Sequence, residues 1–265
     1  SSSSSPFFLA FFLGFFKSST FPVIASNSSL PIDGLLQGIL NWPCIQFTYL
    51  VGINICEVKC DGMKNALILG VTGQDGSYLA DFLLKKDYQV FGSYRRTSHR
   101  QLERLEAMNT FGKVKLIYAD LIDQSSLNRI IKTTQPDEIY NLAAQSFVGV
   151  SFVEPFLTTE ITGIGALRVF EAVREFSPHS KVYQASSSEM FGNSDEIKTE
   201  NSRLQPASPY GSAKVFAHKT AQMYRESYDM FISCGILFNH ESPFRGLEFV
   251  TRKITSGIAK IITKK

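Results

Sequence analysis

Cysteine is scarce in this sequence: Cys44, Cys56, Cys60 and Cys234 are the four in 265 residues, and no pair stands at C-x-x-C spacing. That excludes a disulfide-stapled secreted scaffold, gives no metal site to expect, and makes a reduced, cytoplasmic setting the default. Blocks of one charge are missing as well. Lys and Arg number 27 against 24 Asp and Glu, a net charge of +3, with no basic run interleaved with aromatics; this argues against a nucleic-acid surface and for small anionic partners. The apolar run from Phe7 to Phe16 falls short of the roughly 20 residues that cross a bilayer, so no membrane partner is expected. Internal repeats are absent, and low complexity is confined to the opening serines.

The first 62 residues lack arginine, and the first methionine of the chain is Met63. A translated upstream region accounts for this stretch better than a signal or anchor segment, which would carry a basic start, or a transit peptide, which would carry Arg. Residues 1–62 are therefore expected to form an extension outside the fold.

What is present begins at Met63. Ala66 to Leu69 is a short unbroken apolar run, as suits a parallel strand covered on both faces. Gly70, Gly73 and Gly76 follow at G-x-x-G-x-x-G spacing, and the amphipathic segment SYLADFLLKK is expected to start a helix directly after them. Strand, glycine turn and helix together suit a bound pyrophosphate, because glycine lets the phosphates approach the backbone and the helix N-terminus faces them. A tight turn without a ligand is the plainer reading of glycines alone; the flanking strand and helix favour the dinucleotide.

The second strand, from Tyr88 to Tyr94, runs into Arg95 and Arg96. An acidic residue in that region would hold the ribose 2′-hydroxyl of NAD, whereas arginine suits the 2′-phosphate, so NADP is the expected cofactor. A helix over 101–108 and a third strand, KVKLIYADL, come next, and Asp120 could accept from an adenine amino group or cap a helix. A helix over 125–132 leads to a fourth strand in DEIYNLAAQS, whose small residues Ala143 and Ala144 would let a flat cofactor lie close. One long helix is expected from about Thr158 to Glu175, with Ile161, Ile164, Leu167, Val169, Phe170 and Val173 as its apolar face. Strand five, KVYQAS, ends in Ser187, Ser188 and Glu189. Alternating strand and helix signals imply an α/β doubly wound parallel sheet of Rossmann type, with its ligand at the carboxyl ends of the strands, where Glu189 falls.

Ser208 and Pro209 supply an N-cap and a first-turn proline for the next helix, which carries Tyr210 and Lys214 four residues apart on one face. A neighbouring ammonium is expected to lower the tyrosine pKa from about 10 and make the phenol a usable base. A surface Tyr/Lys pair is the plainer explanation of Y-x-x-x-K by itself; its place after strand five favours catalysis. The sixth strand, MFISCGILFN, ends at His240 and Glu241, after which Arg245, Arg252 and Lys253 could meet a diphosphate or simply be solvated. Residues 63–240 are expected to form the nucleotide-binding domain and 241–265 to open a second region.

The motifs GVTGQDGSYLADFLL, YRRTS, ADL, NLAAQS, QASSSEMFG, SPYGSAK, FNHESPFRG and FVTRKIT stand in this order. The chain from Met63 onward resembles the GDP-mannose 4,6-dehydratase family, a branch of the extended short-chain dehydrogenases. The resemblance implies an NADP site built from Gly70, Gly73, Gln74, Asp75 and Gly76, from Arg95, Arg96, Thr97 and Ser98, and from Asp120 and Leu121. To these it adds Leu142, Ala143, Ala144, Gln145 and Ser146, with Lys214, His240 and Arg245. It implies catalysis by Ser187, Glu189, Tyr210 and Lys214, and contacts to the GDP-mannose substrate from Ser146, Glu189, Asn239, Arg252 and Lys253. A homodimer or homotetramer is implied too. Tyr210 would take the proton of the sugar 4-hydroxyl, and Glu189 the C5 proton of the resulting ketone, with loss of water from C6. Three departures stand out: Ser187 replaces a usual threonine, Phe147 a common histidine, and the C-terminal substrate domain is largely missing, by roughly a hundred residues. A 4-epimerase, another nucleotide-sugar dehydratase and a non-catalytic NADP-binding protein are the alternatives; Glu189 separates the first, and Ser188, in place of an Asp before the Glu, separates the second.

Overall fold

The computed structural model describes residues 62–98, 101–193 and 196–263. The expectation that residues 1–62 stand outside the fold, and Cys44, Cys56 and Cys60 with it, therefore falls outside the described residues apart from Gly62. Six strands alternate with helices: β1 (Asn65–Leu69), β2 (Gln89–Tyr94), β3 (Lys115–Tyr118), β4 (Glu138–Asn141), β5 (Lys181–Ser187) and β6 (Ile232–Leu237). All pair in parallel in the order β3-β2-β1-β4-β5-β6. The order reverses between β1 and β4, the switch point at which a crevice opens at the carboxyl ends of the strands.

The helices are α1 (Gln74–Leu84), α2 (Glu103–Ala107), α3 (Gln124–Thr134), α4 (Val148–Val153), α5 (Pro155–Thr158), α6 (Gly165–Phe176), α7 (Pro209–Tyr228) and α8 (Val250–Thr263). Successive strand residues face opposite sides, so Leu67 and Leu69 join one core with Ile130 and Ile131 of α3, Val169 and Phe170 of α6, and Ala217 and Ala221 of α7. Ala66 and Ile68 turn the other way and are also completely buried, on the side where α1 lays Leu79 and Leu83. Each buried Leu, Ile, Val or Phe among these contributes about 1.5–3 kcal/mol. Burial on both faces explains why β1 and β4 have no polar alternation.

Several boundaries differ from the expectation. Helix α1 starts at Gln74, so Gly76 lies in its first turn and not ahead of it. A Cβ on Gly76 would meet the Gly70 carbonyl oxygen at 2.3 Å, and Gly70 itself holds φ +85°, so the loop and helix can close only with glycine at both positions. Asp120 caps no helix. Asp123 caps α3 by accepting from the Ser125 amide, whereas the Asp120 carboxylate accepts from Ile122 N. The long helix expected over 158–175 is broken into α5, a π-helical turn (Thr159–Ile164) and α6, and it is preceded by the unexpected α4. Within the π turn the Thr162 hydroxyl takes the Gln145 amide at 3.2 Å, while the Thr158 hydroxyl donates to the Gln145 side chain at 3.4 Å. The widened turn is thus the one that reaches the loop after β4.

Candidate active site

One cavity of about 770 Å³ opens at the carboxyl ends of the strands, within the size range of small-molecule sites. Its floor is the glycine loop. The Gly73 amide donates to Gly70 O at 3.1 Å, and the first turn of α1 presents Gln74, Asp75 and Gly76 to the same space. Gly70, Gly73 and Gly76 line this space without side chains at the start of a helix, the arrangement a pyrophosphate requires, so these residues fit a dinucleotide. Arg95, Arg96 and Thr97 line the cavity beyond β2, Asp120 and Leu121 beyond β3, and Leu142 to Ser146 beyond β4.

Ser187, Glu189, Tyr210 and Lys214 converge on this cavity from β5, the 3-10 turn after it, and α7. Ser208 caps α7, its hydroxyl accepting from Gly211 N at 3.0 Å, and Pro209 occupies the first turn. Two consecutive residues of β5 then set the helix register: Lys214 Nζ donates to Ala185 O at 2.7 Å, and His218, one turn on, lies with Nδ1 2.9 Å from the Ser186 hydroxyl. The carbonyl of Ala185 also accepts from the buried Gln184 side chain, which is bonded in turn to Asn141 at the end of β4 at 2.8 Å.

The spacing of Tyr210 and Lys214 has the expected outcome in geometry and the opposite one in chemistry. Lys214 Nζ lies 5.7 Å from the centre of the Tyr210 ring. Yet burial pushes the phenol up from 10.0 to about 12, against the smaller lowering effects of the Ser187 hydroxyl bonded to it and of Arg245. Desolvation is the largest effect on the phenol. Lys214, only 4% exposed, is brought down from 10.5 to about 8 by the same loss of water, with Asp75 opposing. In this form the phenol holds its proton at neutral pH.

The wall opposite is built by the segment after β6. His240 sets Nε2 2.8 Å from Asp75 Oδ1, a hydrogen bond that raises its pKa against the effect of burial. The Ser242 hydroxyl donates to Gln74 Oε1 at 2.8 Å. Arg245 stacks on Phe249 at 3.7 Å from the ring centre, and Phe249 meets Phe147 edge-on at 5.7 Å. Asn239, His240 and Arg245 all line the cavity. Of the residues expected at the site, Ser98, Arg252 and Lys253 do not line it; the last two lie in α8, none of whose residues is buried. Sequence reasoning missed Arg104, which also lines the cavity and donates to two loop carbonyls, Thr72 O and Phe244 O, both at 3.1 Å. Its only signal was a lone arginine in a short polar helix.

Comparison with known proteins places these features in a family. The chain is 50% identical over 208 residues to GDP-mannose 4,6 dehydratase 2 of Arabidopsis thaliana, covering 75% of this chain and 56% of that protein. It is 49% identical over 211 residues to GDP-mannose 4,6 dehydratase of Drosophila melanogaster, covering 76% and 53%. The chain thus spans just over half the length of the curated relatives it matches. A dTDP-glucose 4,6-dehydratase from Streptomyces venezuelae, solved with NAD bound, shares the fold at a TM-score of 0.67 and 22% identity, over 74% of this chain and 62% of that one. Residues 67–265, from the first strand through the glycine loop, the Tyr210 helix and the segment after β6, match the family model of GDP-mannose 4,6 dehydratase, and it is to that family that this chain belongs.

Proposed function

We propose that these residues form the NADP-binding and catalytic part of a GDP-mannose 4,6-dehydratase, which converts GDP-mannose to GDP-4-keto-6-deoxymannose. The observation that carries the reading is the meeting of Ser187, Glu189, Tyr210 and Lys214 with a glycine-cradled helix N-terminus in one cavity. NADP would be held by the glycine loop, by Arg95, Arg96 and Thr97 at the ribose phosphate, and by His240 and Arg245 from the facing wall. Arginines after β2, where an acid would serve NAD, favour NADP. The nicotinamide supplies a reversible hydride acceptor. Tyr210 would act as phenolate, a form favoured by the positive charges of Lys214 and of a bound oxidised nicotinamide, and in that form, assisted by Ser187, would take the 4-hydroxyl proton. Glu189, in the 3-10 turn capped by Ser187, would serve as the base for the C5 proton, and its conjugate acid would protonate the departing 6-hydroxyl; C6 would then regain the hydride taken from C4, and C5 a proton.

Ser146, Glu189 and Asn239 line the cavity and would meet the sugar, while Arg252 and Lys253, set back in α8, belong to a substrate region that 241–265 opens. We assign turnover to a protein carrying these residues together with the further length its relatives possess. A homodimer or homotetramer is part of the proposal, supported by the exposure of Val153 and Phe156 on adjoining α4 and α5, 80% and 90%. Among the described residues no helix is long and apolar enough to cross a membrane, and the proposed setting is cytoplasmic.

The test is the separation of two proton transfers. In the full-length protein Tyr210→Phe should block nucleotide reduction on adding GDP-mannose. Glu189→Gln should allow one round of reduction and then stall, since loss of a positioned base costs about 10²- to 10⁴-fold. Solvent deuterium should enter C5 in the wild type and scarcely in the stalled variant. Normal turnover by Glu189→Gln, or inversion at C4 without loss of the 6-oxygen, would replace this reading with a 4-epimerase.

A further inference from the structure

We propose that Arg104 is a positioning residue: it fastens the glycine loop to the segment 240–246, so that a dinucleotide meets a cavity wall already in place. Arg104 projects from α2, which is pinned by the fully buried Leu105. Its Nε donates to Phe244 O, 140 residues along the chain, and its Nη1 to Thr72 O, 32 residues back, each at 3.1 Å. Thr72 precedes Gly73 of the cradle, and Phe244 precedes Arg245. One rigid guanidinium therefore sets the distance between the loop that would hold the pyrophosphate and the arginine on the opposite wall. An ammonium has a single nitrogen and cannot present that fork.

The same seam carries further ties, from Asp75 to His240 and from Gln74 to Ser242, together with the Tyr78 ring 5.5 Å from that of Phe244. Each joins α1 to the 240–244 segment. Arg104 differs from them in reaching both partners from a third element, and in using acceptors that no substitution at 72 or 244 can remove, since both are backbone carbonyls. Arg245 has most to gain, because its Nε is buried with no hydrogen-bond partner and is 3.6 Å from Glu241.

The inference rests on the dinucleotide reading above, and one of its two measurements is independent of any ligand. Arg104→Met should speed amide hydrogen exchange in 70–76 and 240–246 and leave the sheet strands unchanged. Calorimetry should show affinity for NADP and NAD falling alike, roughly tenfold, as the loss of a charge-assisted bond at a shared wall implies. Arg104→Lys should fall between, and carries the same comparison if the methionine variant does not fold. Unchanged exchange in 240–246 would overturn the proposal. So would a loss confined to NADP, which would make Arg104 a ligand of the extra phosphate. A wild-type chain that binds neither dinucleotide would defeat the cofactor reading, and the exchange measurement would still decide whether Arg104 fastens the two segments.

Discussion

His240 shows how far a single residue can be read. Its hydrogen bond to Asp75 raises its pKa above the ordinary 6.5, so the charged form is favoured in the folded state. The stabilisation is then complete below the unfolded value, about 6.5, and is lost as pH rises through the raised folded value. Urea unfolding of wild type and His240→Gln should accordingly differ at pH 5.5 and converge by pH 9, with Arg245, the cation facing His240, opposing the shift. A gap that stayed constant across this range would mean that the imidazole acts only by packing. Tyr210 marks the limit of local reasoning. Its four-residue spacing from Lys214 was legible in the sequence, but the rise to about 12 comes from burial, which the folded arrangement sets and a four-residue spacing does not contain.

At the scale of elements, legibility followed local signals. Ser-Pro before α7 announced a cap, and the cap is there. Replacing Ser208 by Ala should cost about 1 kcal/mol in chemical denaturation, the usual penalty for a lost N-cap, and should loosen the turn that carries Tyr210. No change in unfolding midpoint would show that the Gly211 amide finds another acceptor. The π turn over 159–164 had no such signal. Its apolar spacing reads as an ordinary helix, and the widening is tied to contacts with Gln145, some 17 residues away. Helix α4 was missed for a related reason: in VGVSFV the single polar side chain, Ser151, is buried, so there is no polar face, and its N-cap residue Phe147 has no side-chain cap. Helix α1 was placed three residues late, because glycine reads as a breaker where close approach to Gly70 O makes it a requirement.

Taken as a whole, the molecule places its proposed cofactor at the ends of all six strands. A ligand that binds only this assembled form stabilises it by mass action, about 2.7 kcal/mol at 100 times its Kd. Thermal melts with equal concentrations of NADP and NAD should therefore both shift upward, NADP by more; equal shifts would remove the argument from Arg95 and Arg96. The doubly wound plan was legible because alternating strand and helix signals admit few arrangements. The seam at Arg104 was not, since its two acceptors are backbone atoms that any residue would supply.

The parallel strand order also imposes a timetable on synthesis. Asp75 and His240 stand 165 residues apart, an interval of roughly 10–30 s on a ribosome adding about 5–20 residues per second. Strand β4 emerges 43 residues before the part of β5 that pairs with it. An emerging chain thus owns its glycine cradle well before the opposing wall exists, and a chaperone arriving in between would find the open edge of β4.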